Sequence, residues 1–109
     1  MKLLKAPYAE IKAGRKTVEM RLYDEKRQGI SAGDEIRFVC PELFGQSIAA
    51  RVSDVYIYED FFSLASSFDS RSLGFEGKSA SYIADFMLGI YSKDEEEKYG
   101  ACAILISYK

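Results

Sequence analysis

The sequence predicts an α+β domain built on a small, closed or nearly closed β-sheet, and three stretches predict it. Residues 34–40 alternate polar and apolar side chains, with Ile36, Phe38 and Cys40 on one face, the period of a half-buried strand. Residues 101–108 are almost wholly apolar, as in a strand covered on both sides. Between them, residues 79–90 place Tyr82, Ile83, Phe86, Met87 and Ile90 three and four apart, which makes one apolar stripe on a helix. With 109 residues, 48% of them hydrophobic and 14% aromatic, the chain has the size and composition of one domain with its own core.

Taken in order, residues 7–13 form a short helix. Pro7 suits its first turn, Gly14 the position just past its end, and Tyr8 and Ile11 share its buried face. A strand over 17–23 follows after two residues. Residues 24–29 are a charged connection, and Ser31-Ala32-Gly33-Asp34 is a turn. Pro41 ends the strand over 34–40. The strand over 47–58 changes parity, because Ile48, Ala50 and Val52 are even and Val55 and Ile57 odd. A bulge near Ser53-Asp54 returns both sets to one face and helps the sheet curl. Asp60 caps a helix over 61–68, and residues 69–78, rich in Ser and Gly, form a loop. Ser92-Lys93-Asp94-Glu95 reads as a capping box, whose helix ends at Gly100.

Composition excludes several functions. The chain contains no histidine, which removes Ser-His and Cys-His pairs and the commonest zinc ligand, so no metal or cofactor is expected. The formal net charge of -2 argues against holding long duplexes by bulk electrostatics. Basic residues nevertheless gather at 12–27, and acidic ones at 94–97. Cys40 and Cys102 lie in apolar runs and read as buried thiols of a reducing compartment. No apolar run nears the roughly 18 residues of a membrane span. Residues 1–5 are charged with no signal-peptide block behind them, so a soluble cytoplasmic protein is expected.

The chemistry concentrates at Gly14-Arg15-Lys16-Thr17-Val18-Glu19-Met20-Arg21. Strand alternation puts Val18, Met20 and Leu22 in an apolar row and Thr17, Glu19 and Arg21 in a polar row opposite, with Lys16 at the strand's mouth. On spacing alone, Glu19 and Arg21 pair with each other on a solvated sheet surface, and Lys16 is a salt-bridge partner or a base poised by its neighbours. Glu76, in the loop before the 79–90 helix, reads either as a solvated acid or as a functional carboxylate. Asp24, Lys26 and Arg27 are surface charge or a phosphate contact. Tyr56 and Tyr58 are structural or base-stacking.

These residues resemble the ASCH domain, a branch of the PUA-like β-barrel superfamily. The likeness runs through Gly14-x-Lys16-Thr17-x-Glu19-x-Arg21, then Ile30-x-x-Gly33-Asp34-x-Ile36-x-Phe38, and ends at Ile90-Tyr91-Ser92 and Glu97-x-Tyr99-Gly100-x-x-Ala103-Ile104. It implies a single ASCH domain over residues 1–109, a PUA-like barrel flanked by short helices. It also implies a cleft that binds RNA or a nucleotide-like ligand, with Arg15, Lys16, Thr17, Glu19 and Arg21 as the binding residues. One branch of the family hydrolyses the acetyl group of N4-acetylcytidine, and some members are ribonucleases. By that likeness the catalytic lysine falls on Lys16, and counting fifteen residues back from Tyr91 puts the catalytic glutamate at Glu76. The branch's third residue, a threonine, is replaced here by Glu19, and a carboxylate repels an oxyanion that a hydroxyl would stabilise. The implied function is therefore binding, with metal-independent amide hydrolysis or ribonuclease action through Lys16 and Glu76 as the alternative.

Overall fold

A computed structural model describes residues 1–108. The chain runs α1 (Lys5–Lys12), β1 (Val18–Leu22), α2 (Glu25–Gln28), β2 (Glu35–Cys40), a 3-10 turn (Pro41–Leu43), β3 (Gln46–Tyr58), α3 (Phe61–Ser66), α4 (Ala80–Met87), α5 (Lys93–Tyr99) and β4 (Ala101–Ser107). The class is α+β, as the pattern predicts. The strands form one antiparallel sheet in the order β1-β4-β3-β2.

Local chemistry sets the boundaries. Ala13 caps α1 and Gly14 follows with φ of +79°, a left-handed turn that glycine adopts without a Cβ clash. The helix starts two residues ahead of Pro7, because the chain already turns helical at Lys5. Asp60, Ser79 and Ser92 each accept a backbone N–H from three residues on, and Glu95 reciprocates toward Ser92 to complete the capping box. The register of β3 against β4 shifts between Val52 and Asp54, so Ser53 is the extra residue of a bulge. Beyond it Val55 packs on the same core as Val52, whereas Ile57 is exposed.

Strand β4 lies inside the sheet and alternates between two cores. Cys102, Ile104 and Ile106 join Phe38, Ile48 and Val52 on one face. Ala101 and Ala103 join Phe61, Leu64, Ile83 and Met87 of the helices on the other. Both thiols are buried and unpaired, and burial pushes that of Cys102 up to about 12.

The sheet is not closed by strand pairing, so of the closed or nearly closed sheet expected from the pattern it is not the fully closed form. It is a curled half-barrel whose edges, β1 and β2, are not paired with each other. The N-terminal residues lie along the β2 edge: Lys2 bridges Val39 in parallel, Leu3 N–H donates to Val39 O at 2.9 Å, and Val39 N–H donates to Met1 O at 2.8 Å. From the other edge, Arg21 Nη2 of β1 donates to Lys2 O at 3.1 Å. One side chain therefore joins the two sides of the open sheet. Among the described residues, no helix is long and apolar enough to cross a membrane.

Two outcomes check this packing. A Cβ at Gly100, where φ is +73°, would stand 2.7 Å from Tyr58 O. Gly100→Ala should lower unfolding stability by more than about 1 kcal/mol in urea titration. Alkylation of native protein at pH 7 should leave Cys102 unmodified, with reaction appearing only on unfolding, because the thiolate is the nucleophile.

Candidate functional site

The approach to β1 places Lys16. Past Gly14, the N–H groups of Arg15 and Lys16 both donate to Glu10 O at 3.0 Å, folding the chain back under α1. The N–H groups of Thr17 and Val18 then both donate to Ser72 O, at 2.9 and 3.0 Å. This pins the start of β1 to the loop over 69–78. Gly74 of that loop lies across the lysine stem so closely that a Cβ there would be 2.9 Å from Lys16 Cδ.

Strand pairing places Glu19 and Arg21. Glu19 is in register with Ile104 and Arg21 with Cys102, and directly opposed residues share a sheet face. That is the face carrying the Phe38 core, not a solvated surface. Val18, Met20 and Leu22 pack on the helices instead. Both faces of β1 are covered, which corrects the exposed polar row expected from alternation alone.

Burial makes the charges pair. Lys16 is 7% exposed and Glu19 3%. Lys16 Nζ lies 2.7 Å from Glu19 Oε1, and Arg21 Nη2 lies 2.8 Å from Glu19 Oε2, where Arg21 Nε also donates at 2.8 Å. Burial by itself raises the Glu19 pKa, but the charges and hydrogen bonds of Lys16 and Arg21 outweigh it, and the net shift is downward. For Arg21 burial opposes the charge, yet the Glu19 carboxylate, with help from the Tyr91 hydroxyl, raises its pKa.

This triad is the floor of a cavity of about 500 Å³ between the N-terminal segment, α1, the Gly74 loop and the end of α4. Leu4, Phe75, Phe86, Ile90 and Tyr91 supply its apolar walls. Three of the five residues of the apolar stripe seen in the sequence thus line the cavity: Met87, which is buried, and Phe86 and Ile90, which remain 48% and 61% exposed. The size and the mix of apolar walls with a few polar groups are those of a small-molecule pocket.

The structure brings only some of the expected residues together. Lys16, Glu19 and Arg21 converge. Arg15 does not line the cavity: its guanidinium is held by Glu10 on the rim, with Nη2–Oε2 at 2.6 Å. The Thr17 backbone belongs to the sheet and loop junction, and its side chain is exposed outside the lining. Glu76 is also outside, 71% exposed and 3.7 Å from Arg71, so the carboxylate beside Lys16 is Glu19. Spacing did not reveal Lys2, Leu4 or Phe75, since chain-distant segments bring them to the cavity. The available signal was the four-residue step from Phe86 to Ile90.

Glu19→Gln should leave Lys16 and Arg21 buried without a countercharge and lower stability by about 3–5 kcal/mol in denaturant titration. The pH dependence has a definite sign. The Glu19 carboxyl has a lower pKa folded than unfolded, so the unfolded chain binds its proton first on acidification. Its contribution should be full above the ordinary glutamate pKa of about 4.3 and fade as pH falls toward the lowered folded value. Glu19→Gln should lack that part of the acid dependence.

No family model and no curated protein matches the sequence. Among solved structures, the crystal structure of hypothetical protein PH0355 is similar over 100% of this chain and 96% of its own, with 29% identity and a TM-score of 0.87. The NMR structure of protein PF0455 from Pyrococcus furiosus is similar over 99% of this chain and 97% of its own, with 28% identity and a TM-score of 0.69. Neither name states an activity, and what the chain has in common with both is its fold over essentially the whole length.

Proposed function

We propose that the chain is an ASCH domain of PUA-like type that binds a nucleotide-like ligand, free or as part of a short single-stranded RNA, in the cavity beside β1. The observation that carries this reading is the buried Lys16–Glu19–Arg21 triad at the floor of an apolar cavity. A heterocycle has flat apolar faces and a polar edge, which suit the walls and floor respectively. The segment that carries the ASCH resemblance supplies all three floor residues. Tyr91, stacked on Phe61 with centroids 5.8 Å apart, is a rigid aromatic wall on which a ring can rest. A reducing compartment such as the cytoplasm suits the two unpaired buried thiols.

The hydrolytic alternative, whether on an acylated nucleoside or on RNA, requires a carboxylate free to act with Lys16. Glu76 lies outside the cavity, and Glu19 is engaged at both oxygens. Binding is therefore the reading that the geometry favours.

Titration of a nucleoside monophosphate set and a short single-stranded RNA, followed by 15N-detected shifts, tests it. Shifts should localise to residues around the cavity, and Arg21→Gln should weaken binding about tenfold or more, as expected on removing a charge-assisted hydrogen bond. Absence of binding, or unchanged affinity in the folded Arg21→Gln protein, would refute the proposal. Incubation with N4-acetylcytidine should release no cytidine, and Glu76→Gln should leave ligand affinity unchanged.

A further inference from the structure

The hydrogen-bond inventory of the cavity floor identifies the kind of group it receives. Glu19 has both oxygens engaged, Oε1 by Lys16 and Oε2 by Arg21. Glu10, the other carboxylate on the lining, is held by Arg15 through contacts of 2.6 to 3.2 Å. Both acids are therefore already ion-paired, so neither offers a free negative charge to a ligand. The cations are different. An ammonium has three N–H donors and a guanidinium five. Among the described residues Lys16 has Glu19 as its ion-pair partner, and Arg21 donates from Nε to Glu19 and from Nη2 to Lys2 O, with the Tyr91 hydroxyl as a further partner. Donors on Lys16 Nζ and at least one of the five N–H groups of Arg21 remain outside these pairs.

Charge gives the same answer as the donor count. Two cations and one anion leave the triad with one surplus positive charge. Its side chains are only 4% to 16% exposed, so water screens that charge poorly. Lys2 adds a second cation at the exposed rim. The walls above, formed by Leu4, Phe75, Phe86, Ile90 and Tyr91, provide nothing to hold a second charge.

We infer that the cavity selects a monoanion with adjacent acceptor atoms, of the carboxylate kind, carried on a flat apolar body that enters charged end first. The inference rests on the cavity being the ligand site proposed above. It goes further in giving the floor the negative end of the ligand in preference to a base amine, since the surplus charge of the floor is positive and its carboxylate is already ion-paired. A single carboxylate charge brings the triad to neutrality, and two acceptor atoms side by side match donors from two cations anchored on one carboxylate.

Calorimetry at pH 7 with 2-naphthoate and its neutral isostere 2-naphthamide tests this directly on the native protein. The carboxylate should bind at least about tenfold more tightly than the amide. That ratio should collapse toward unity in Lys16→Gln and in Arg21→Gln, while Lys5→Gln, exposed and outside the cavity lining, should keep it. Equal affinities, tighter binding of the amide, or no binding of either compound would overturn the inference, and this comparison requires no variant to fold. Nucleoside monophosphates measured alongside separate the two proposals. Nucleotide binding without a preference for naphthoate overturns this inference and leaves the nucleotide reading standing. A naphthoate preference with no nucleotide binding does the reverse.

Discussion

The carboxylate of Glu19 is the interaction on which the rest of the structure depends. It is 3% exposed on an edge strand, in register with the core residue Ile104. A lone carboxylate in that position would be strongly destabilising, and protonation would be its way out. Lys16 and Arg21 remove that outcome by approaching one oxygen each. Each of the two needs Glu19 equally. Lys16 is itself buried beneath Gly74, and Arg21 is largely covered between Glu19 and the N-terminal segment. The three charges form a single unit, in which losing Glu19 leaves both cations without their countercharge and losing either cation leaves Glu19 with one partner.

That unit also holds the open side of the sheet. The backbone hydrogen bonds of residues 1–3 attach them to β2, but what joins them to β1 is the Arg21 side chain, through Lys2 O. The guanidinium is oriented for this by its Nε bond to Glu19. The same atoms face the cavity, whose wall includes Leu3 and Leu4 of the strapped segment. The strap across the open sheet and the floor of the cavity are therefore built from one set of side chains. A ligand that draws on Arg21 acts on the group that tethers the N-terminal residues.

How much of this could be read from the chain follows from how far each feature reaches along it. The caps at Asp60 and Ser92, the turn at Gly14 and the bulge at Ser53 depend on neighbours within a few residues, and all four lie where the pattern put them. The apolar run of β4 announced an inner strand because burial on both faces leaves no polar alternation. Alternation in β1 identified two rows but could not say what lay opposite the polar one. That depends on β4, some eighty residues away, pairing with β1 in the order β1-β4-β3-β2. The stripe on α4 was visible as apolar, yet periodicity does not distinguish residues packed in a core from those lining a cavity. Phe86 and Ile90 proved to be the latter. The Gly-x-Lys-x-x-Glu-x-Arg run singled out three residues whose side chains the fold brings together. Counting along the chain gave Glu76, however, and it lies in a loop that turns outward.

The identity of residue 19 decides between the two chemistries that such a floor can support. With a small hydroxyl there, two cations would face the cavity unopposed and could gather a carbonyl oxygen as it acquires charge. With glutamate, one of those charges is neutralised before any ligand arrives, and Lys16 Nζ is directed at Oε1 with only 2.7 Å between them. What remains is one positive charge and a few N–H groups fixed on a rigid strand under apolar walls. Such an arrangement suits an acceptor better than a reaction that needs a free base, and both consequences follow from the one carboxylate at position 19.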